Sequence, residues 1–390
     1  MKNRVEDYLK IKSKFKYFVF LVLYFILFPI SRCLYGSKKL FLVCERGYDA
    51  QDNGFIFYKY LCENHKDIKP VYIISKKSPE LDKVKAVGKY VYFCSIKHFL
   101  MVIGCRTKIS SHLFGYAPWI QMETFFRRNR TKDKHIFLQH GIIKNFHESL
   151  CGQCCKSLSL FVCGAKPEYD YIKKTFGYTP KITQYTGLAR YDNLQTFKTN
   201  NIILFMPTWR MDLSKCSDEE FKKSAFYSNW SNILNNKELI QACKQHDLQI
   251  VFYLHFSFQQ FSKLFRSNDV VKIVSFGDKT VQELLKESKL LVTDFSSVYF
   301  DFCYMKKPII YFQFDEDTFN QKHYSAGYFD YRRDGFGCVV NHEKEAVFYI
   351  LKYINSNFCV EKKYLNRRDR FFIYNDTNNC ERIFNAISNI

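Results

Sequence analysis

Residues 290–301 read LLVTDFSSVYFD. The first four, Leu290 to Thr293, have the length and apolar character of a strand buried on both faces. Asp294, Phe295 and Ser296 then make a short polar turn, and helical character begins at about Ser297. A strand running directly into a helix is the building unit of a parallel sheet covered by helices. Asp and Ser at such a junction are good helix caps. Free backbone N–H groups with two hydroxyls beside them also suit a phosphate. The local pattern leaves both readings open.

Outward from this stretch the same alternation repeats. Residues 308–312 (PIIYF) follow it, and 271–274 (VKIV), 247–254 (DLQIVFYL) and 202–206 (IILFM) precede it, with helical stretches at 236–246 and 279–288. The polar run TFKTNN at 196–201 separates these from an earlier series at 40–44 (LFLVC), 71–74 (VYII), 91–94 (VYFC), 106–111 (RTKISS) and 135–139 (HIFLQ), with a helical piece at 54–61. The pattern predicts two similar α/β halves joined near residue 200. Ligands of such sheets bind at the carboxyl ends of the strands, here expected in a cleft between the halves. A length of 390 residues with 47% hydrophobic residues suits two cores of this size. Internal repeats are absent from the sequence. So are GxGxxG and Walker patterns, which leaves no indication of dinucleotide or P-loop chemistry.

The 59 Lys and Arg residues against 38 Asp and Glu leave a net charge of +21. Such an excess calls for an anionic partner: nucleic acid, a membrane surface or a phosphate-rich substrate. The 15 cysteines are spread along the chain without a disulfide framework, as in a reducing compartment. One group, Cys151, Cys154, Cys155 and Cys163 with His147, lacks a second CxxC pair, so no metal is expected. Residues 17–30 (YFVFLVLYFILFPI) carry no charge and follow a basic flank containing Lys2, Arg4, Lys10, Lys12, Lys14 and Lys16. At helical rise this run covers roughly 21 Å, short of a ~30 Å hydrocarbon core. The expectation is an interfacial helix on an anionic inner leaflet; a buried first helix is the alternative.

Three further strand ends carry reactive groups. In residues 135–144 (HIFLQHGIIK) the strand reads as ending at Gln139. This places His140 at its carboxyl edge, beside Gly141, which allows a sharp turn or close approach to a ligand. A histidine there has the pKa of a general base, although a lone histidine is often structural. His255 follows the apolar run 251–254, and Arg210 follows Met206-Pro207-Thr208-Trp209, where it can hold a phosphate or carboxylate. Together these groups suit an anionic diphosphate.

At these residues the sequence resembles the CDP-glycerol glycerophosphotransferase family, which builds teichoic acids and related capsular polymers. The matching pieces are Gln139-His140-Gly141, Pro207-Thr208-Trp209-Arg210, Thr293-Asp294-Phe295-Ser296-Ser297 with Asp301, and Lys307-Pro308-Ile309-Ile310-Tyr311. Residues 186–192 (TGLARYD) resemble the family's glycine-leucine-proline-arginine turn, with Ala189 in place of proline, and 278–285 (DKTVQELL) its acidic-turn helix. The likeness spans roughly residues 40–345. It departs at Ile142-Ile143-Lys144, where the family has threonine-proline-leucine-lysine, and at Phe256, where the family has proline.

The resemblance implies a GT-B-like fold of two Rossmann-like domains. The expected divisions are a membrane-associating segment 1–36, an acceptor-side domain 37–198 and a CDP-polyol-binding domain 199–390. It implies catalytic roles for His140 and His255, and donor binding by Arg210, Thr293, Asp294, Ser296, Ser297 and Asp301. Gly141, Lys144 and Arg190 lend support. No cofactor, metal or nucleic acid is expected. The implied reaction moves glycerol phosphate, or a related polyol phosphate, from CDP-glycerol to a hydroxyl of a membrane-linked surface polymer at the cytoplasmic face, releasing CMP. The rival enzyme is a GT-B glycosyltransferase using a nucleotide sugar. The rival from another class is a non-catalytic binder of anionic polymer or nucleic acid, to which the basic and aromatic run 125–134 (FFRRNRTKDK) contributes.

Overall fold

The structure is a computed structural model that describes residues 2–322 and 327–390, with side chains placed for 14–319 and 327–390. The side chains of Lys2, Arg4, Lys10 and Lys12 therefore lie outside the described residues. The chain divides into two compact units. One comprises Met1–His140, Glu148–Asp192 and Asn378–Ile390; the other comprises Gly141–His147 and Asn193–Thr377.

The first unit holds β1 (Leu40–Cys44), β2 (Lys69–Ile74), β3 (Tyr90–Tyr92), β4 (Thr107–Ser110), β5 (Lys134–Phe137), β6 (Leu160–Cys163) and β7 (Thr183–Tyr185). They form one sheet in the order β3-β2-β1-β4-β5-β6-β7, parallel at every pairing. The second unit holds β8 (Ile202–Phe205), β9 (Gln249–Tyr253), β10 (Val271–Val274), β11 (Ser288–Thr293), β12 (Ile309–Phe312) and β13 (Gly337–Val340). Its sheet runs β10-β9-β8-β11-β12-β13, again all parallel. The two orders share one plan. Each sheet starts in its middle, winds outward, then reverses, so each has a switch point: β1/β4 in the first and β8/β11 in the second. The two Rossmann-like α/β units expected from the alternation are present. β6, β7 and β13 were not singled out in the sequence because they are short and adjoin polar segments.

Helix starts follow local chemistry. Thr280 and Glu283 form a reciprocal capping box that opens helix Val281–Glu287. The helix is closed from outside, since Lys307 Nζ donates to the carbonyls of Leu285, Lys286 and Ser288 at 2.8, 2.6 and 2.8 Å. Burial pushes this lysine down to about 7. The lysine that opens the 307–311 motif is thus a helix terminator, supplying donors to orphan carbonyls. In the second core, buried Trp230 packs on Phe205, Phe226, Phe252 and Phe312.

The N-terminal helix spans Lys2–Tyr35, longer than the uncharged run suggests. Its segment Lys14–Tyr35 has 22 residues and contains an 18-residue stretch with a mean hydropathy of 2.0, long and apolar enough by composition to cross a membrane. The sequence expectation of a run too short to span counted only uncharged residues; the helix continues past both ends. One stripe packs on the first unit: Phe20 and Tyr24 are buried, and Tyr24 lies 4.7 Å from Phe125 ring to ring. Phe18, Val22, Phe25, Ile26 and Ile30 remain exposed on it.

Candidate functional site

Beside the central strand of the first sheet, β5 ends at Phe137, two residues sooner than the apolar run suggests. Leu138 still donates its N–H to Ser110 at 2.9 Å, and then Gln139 turns left-handed with φ +63. That conformation is strained for a residue with a side chain and persists only where neighbours impose it. Here they do. Asn53 Nδ2 donates to the Gln139 carbonyl at 2.7 Å, and the Gln139 side-chain amide donates to Val162 O. The turn throws His140 out of the sheet edge, where its ring is exposed.

The next residue is held as firmly. Arg190 Nη1 donates to His140 O at 2.8 Å and to Asp52 Oδ1 at 2.6 Å. The Arg190 N–H is received by Asn53 Oδ1 at 2.9 Å. Asp52 and Asn53 begin the helix Asn53–Asn64, whose entry is tied by Glu45. That buried carboxylate accepts N–H groups from Gln51, Asp52 and Phe55 at 3.1, 2.8 and 3.0 Å. Desolvation, with the Asp52 charge added, pushes Glu45 up to about 7. Gly187, at φ +78, brings Arg190 into place; a Cβ there would lie 1.8 Å from Asn379 Oδ1. Asp192 closes the same turn by accepting the N–H groups of Asn379 and Cys380, both at 2.8 Å, at the start of helix Asn379–Ser388.

A second imidazole joins His140. His112 follows β4 at the switch point and stacks on the His140 ring with centroids 4.9 Å apart and planes 15° apart. Burial, then the neighbouring His140 and Arg46 charges, hold it down to about 3, so it is neutral near pH 7. Sequence reasoning missed His112. The signal was available: it immediately follows the strand-like run 106–111, the same placement that singled out His140.

In the second unit the switch point is built around Asp294. Its Oδ1 accepts the N–H of Thr208 at 2.7 Å and of Phe295 at 2.6 Å, and its Oδ2 meets Arg210 Nη2 at 2.8 Å. Arg210 also binds Asp315 through Nε and Nη2 at 2.7 and 2.9 Å and donates to Thr208 O at 2.6 Å. Its guanidinium is buried and lies over the rings of Phe295 and Phe319. Arg210 thus joins the two turns after β8 and β11, with the missed Asp315 after β12 as its second partner. Thr293 turns its hydroxyl to Met206 O at 2.7 Å within the sheet. Asp301, buried one helical turn into helix Val298–Tyr304, accepts from Gln282 at 3.0 Å. Ser296 and Ser297 remain at the surface of the turn, and among the described residues neither hydroxyl has a hydrogen-bond partner. Ser297 occupies the cap position without a side-chain cap bond.

His255 follows β9 and stacks on Trp209 at 6.1 Å and 21°. Its Nδ1 accepts the Ser257 N–H at 3.2 Å, which leaves the neutral ring's proton on Nε2 as a donor. Lys144, in the segment grouped with the second unit, donates to Phe295 O at 2.8 Å and to the Tyr331 hydroxyl. Burial among Tyr299 and Tyr331 outweighs the Asp294 charge and pushes it down to about 7. Arg210, Thr293, Asp294, Ser296, Ser297 and Lys144 therefore meet around one turn, and His140, Gly141 and Arg190 around another. Asp301 faces Gln282 instead. Among the described residues no three His, Cys, Asp or Glu side chains are placed to hold a metal ion.

These are two Rossmann-like parallel-sheet units with polar residues gathered at the switch points, the construction of GT-B-like proteins. The family model of CDP-glycerol:poly(glycerophosphate) glycerophosphotransferase matches residues 161–389, and the chain belongs to that family. It is 33% identical over 366 residues to the minor teichoic acid biosynthesis protein GgaB of Bacillus subtilis (strain 168), covering 91% of this chain and 40% of that protein. It is 27% identical over 171 residues to the teichoic acid glycerol-phosphate transferase of Staphylococcus aureus (strain NCTC 8325 / PS 47), covering 44% of this chain and 40% of that one. The chain thus matches less than half the length of each relative. In fold it is similar to the wall teichoic acid polymerase TagF, with a TM-score of 0.69, 16% identity and 97% of both chains covered.

Proposed function

We propose that the chain transfers glycerol phosphate, or a related polyol phosphate, from CDP-glycerol to a hydroxyl of a membrane-linked surface polymer. Family membership supports the donor class. The observation that carries the reading is the exposed His140 imidazole at a strand end, its backbone held by Arg190 at 2.8 Å. His140 takes the proton of the acceptor hydroxyl as that oxygen attacks the β-phosphorus. The bond from that phosphorus to the bridging oxygen breaks, CMP leaves, and a phosphodiester forms. The free hydroxyls of Ser296 and Ser297 receive the donor's phosphates, and His255 Nε2–H adds a donor. Asp294 and Arg210 hold the serine turn in place, with Thr293 anchoring its strand. Lys144 and Gly141 support the turns beside them, and Asp301 steadies the helix behind the serines. Such a transfer depends on positioning and on charge stabilisation. The work is done at the cytoplasmic face, with the N-terminal helix against anionic lipids.

Incubation of the purified protein with CDP-glycerol, CDP-ribitol or a nucleotide sugar, with acceptor, tests the reading by CMP release and product mass. Polyol-phosphate addition lost by ~10²–10⁴-fold in folded His140→Ala is the expected result. Sugar addition would replace the reading with the glycosyltransferase one, and absence of any transfer would leave a binding protein.

A further inference from the structure

Beneath the N-terminal helix, within the first unit, lies a recess of about 350 Å³ whose walls differ in character. One wall is cationic. Asp133 is met by two cations, Arg32 Nη2 at 2.6 Å and Lys108 Nζ at 2.8 Å. The Lys108 side chain is wholly buried and Asp133 nearly so. One carboxylate therefore faces two fixed cations, and the group keeps a net positive charge inside the protein. The excess has an address: Arg32 Nη1 is buried and, among the described residues, lacks a hydrogen-bond partner. A buried charged donor left unpaired is costly, and the negative charge of an anion in the recess would offset the surplus positive charge from nearby. Arg106 and Lys132 add two exposed cations at the rim, with Arg106 held by its Nε bond to Gly36 O at 2.7 Å.

The other wall is apolar. Tyr24, Phe25, Phe28 and Arg32 recur at helical spacing on one side of the N-terminal helix. Phe25 is 64% exposed, and Ile26 and Ile30 continue the bare apolar surface away from the recess. Inorganic phosphate would answer the cations and leave these groups in water. A ligand with an anionic head and a hydrocarbon tail answers both.

We propose that this recess binds the phosphate headgroup of an anionic membrane phospholipid, with Arg32, Arg106 and Lys132 on the phosphate and Phe25 and Phe28 against the start of the acyl chains. The site is separate from the turns assigned to transfer, and it rests on the reading that the chain works at a membrane. Its effect is to fix how the first unit stands on the bilayer, since one bound headgroup adds an orientation that a bare apolar helix lacks.

The test uses the full chain and short-chain phosphatidylglycerol kept below its micelle concentration, followed by calorimetry. Binding is expected to saturate at one lipid per chain, at least about tenfold tighter than short-chain phosphatidylcholine or inorganic phosphate. Arg106→Gln with Lys132→Gln should weaken it about tenfold or more. Both positions are exposed, and an unchanged thermal midpoint confirms the fold. Lys14→Gln with Lys16→Gln removes the same charge from the far end of the helix and should leave affinity unchanged. Equal loss in both double variants, or equal affinity for the three ligands, overturns the site. Co-sedimentation with phosphatidylglycerol vesicles separates the two ideas. Pelleting without short-chain lipid binding keeps the membrane reading and removes the recess. Short-chain binding without pelleting does the reverse.

Discussion

Arg190 Nη1 donates a 2.8 Å hydrogen bond to the main-chain oxygen of His140, and the same nitrogen pairs with Asp52 at 2.6 Å. The arginine therefore sets where the imidazole starts, not its chemistry. Arg190→Gln should lower turnover by about 10–10²-fold through misplacement, with little change in donor affinity. It should also cost about 1–3 kcal/mol of stability, because Asp52 and the carbonyl lose a charged donor. Steady-state kinetics with a denaturation curve on the same protein checks both. Unaltered turnover would detach Arg190 from the reacting histidine.

His112 supplies a pH signature. Its folded pKa, about 3, lies below the ordinary histidine value, so between these values the unfolded chain binds more protons. Its contribution to stability is complete above about pH 6.5 and is lost as pH falls toward 3, at up to about 1.4 kcal/mol per pH unit. His112→Phe keeps a ring against His140 and removes this slope. Urea unfolding of both proteins between pH 7 and pH 5 should show the variant losing less stability on acidification. Parallel curves would mean that His112 takes up its proton equally in the folded and the unfolded chain.

The serine turn predicts a partial loss. Replacing Ser296 and Ser297 by Ala removes two unengaged hydroxyls but keeps the backbone N–H groups. Affinity for CDP-glycerol or CMP should fall by about 1–3 kcal/mol, with no loss of folding. Titration calorimetry gives the answer; unchanged nucleotide affinity places the donor elsewhere.

Asp294 predicts a structural failure instead. Asp294→Ala leaves Arg210 buried with Asp315 as its remaining carboxylate and strips the acceptor from two N–H groups. The cost should be about 3–5 kcal/mol, read as an earlier denaturation midpoint. Asp301→Asn, which keeps a polar partner for Gln282, should cost much less. Similar losses in the two variants would show that the Arg210 network is not what holds the turn.

The strand-to-helix reading of residues 290–301 extends correctly to both sheets, because a parallel strand buried on both faces has to be an apolar run closed by turn residues. The same logic marks strand ends, which is how His140, Arg210 and His255 were found. It overlooked His112 and Asp315, although both follow strands. Short strands such as β7, three residues beside polar loops, carry too little pattern to stand out.

By itself the sequence determined the α/β class, the presence of two such units and the polar character of the strand ends. Each depends on residues a few positions apart, where side-chain period and turn chemistry act. The tertiary structure decided the rest. Gln139 is left-handed because Asn53 and Val162, distant in sequence, hold its amide and carbonyl groups. His112 meets His140 because β4 and β5 are neighbours in the sheet. The chain's last helix returns to the first unit because Asp192 caps it, and residues 141–147 join the second because Lys144 finds Phe295 and Tyr331 there. Such partners are chosen by which strands lie side by side, and no local period carries that information.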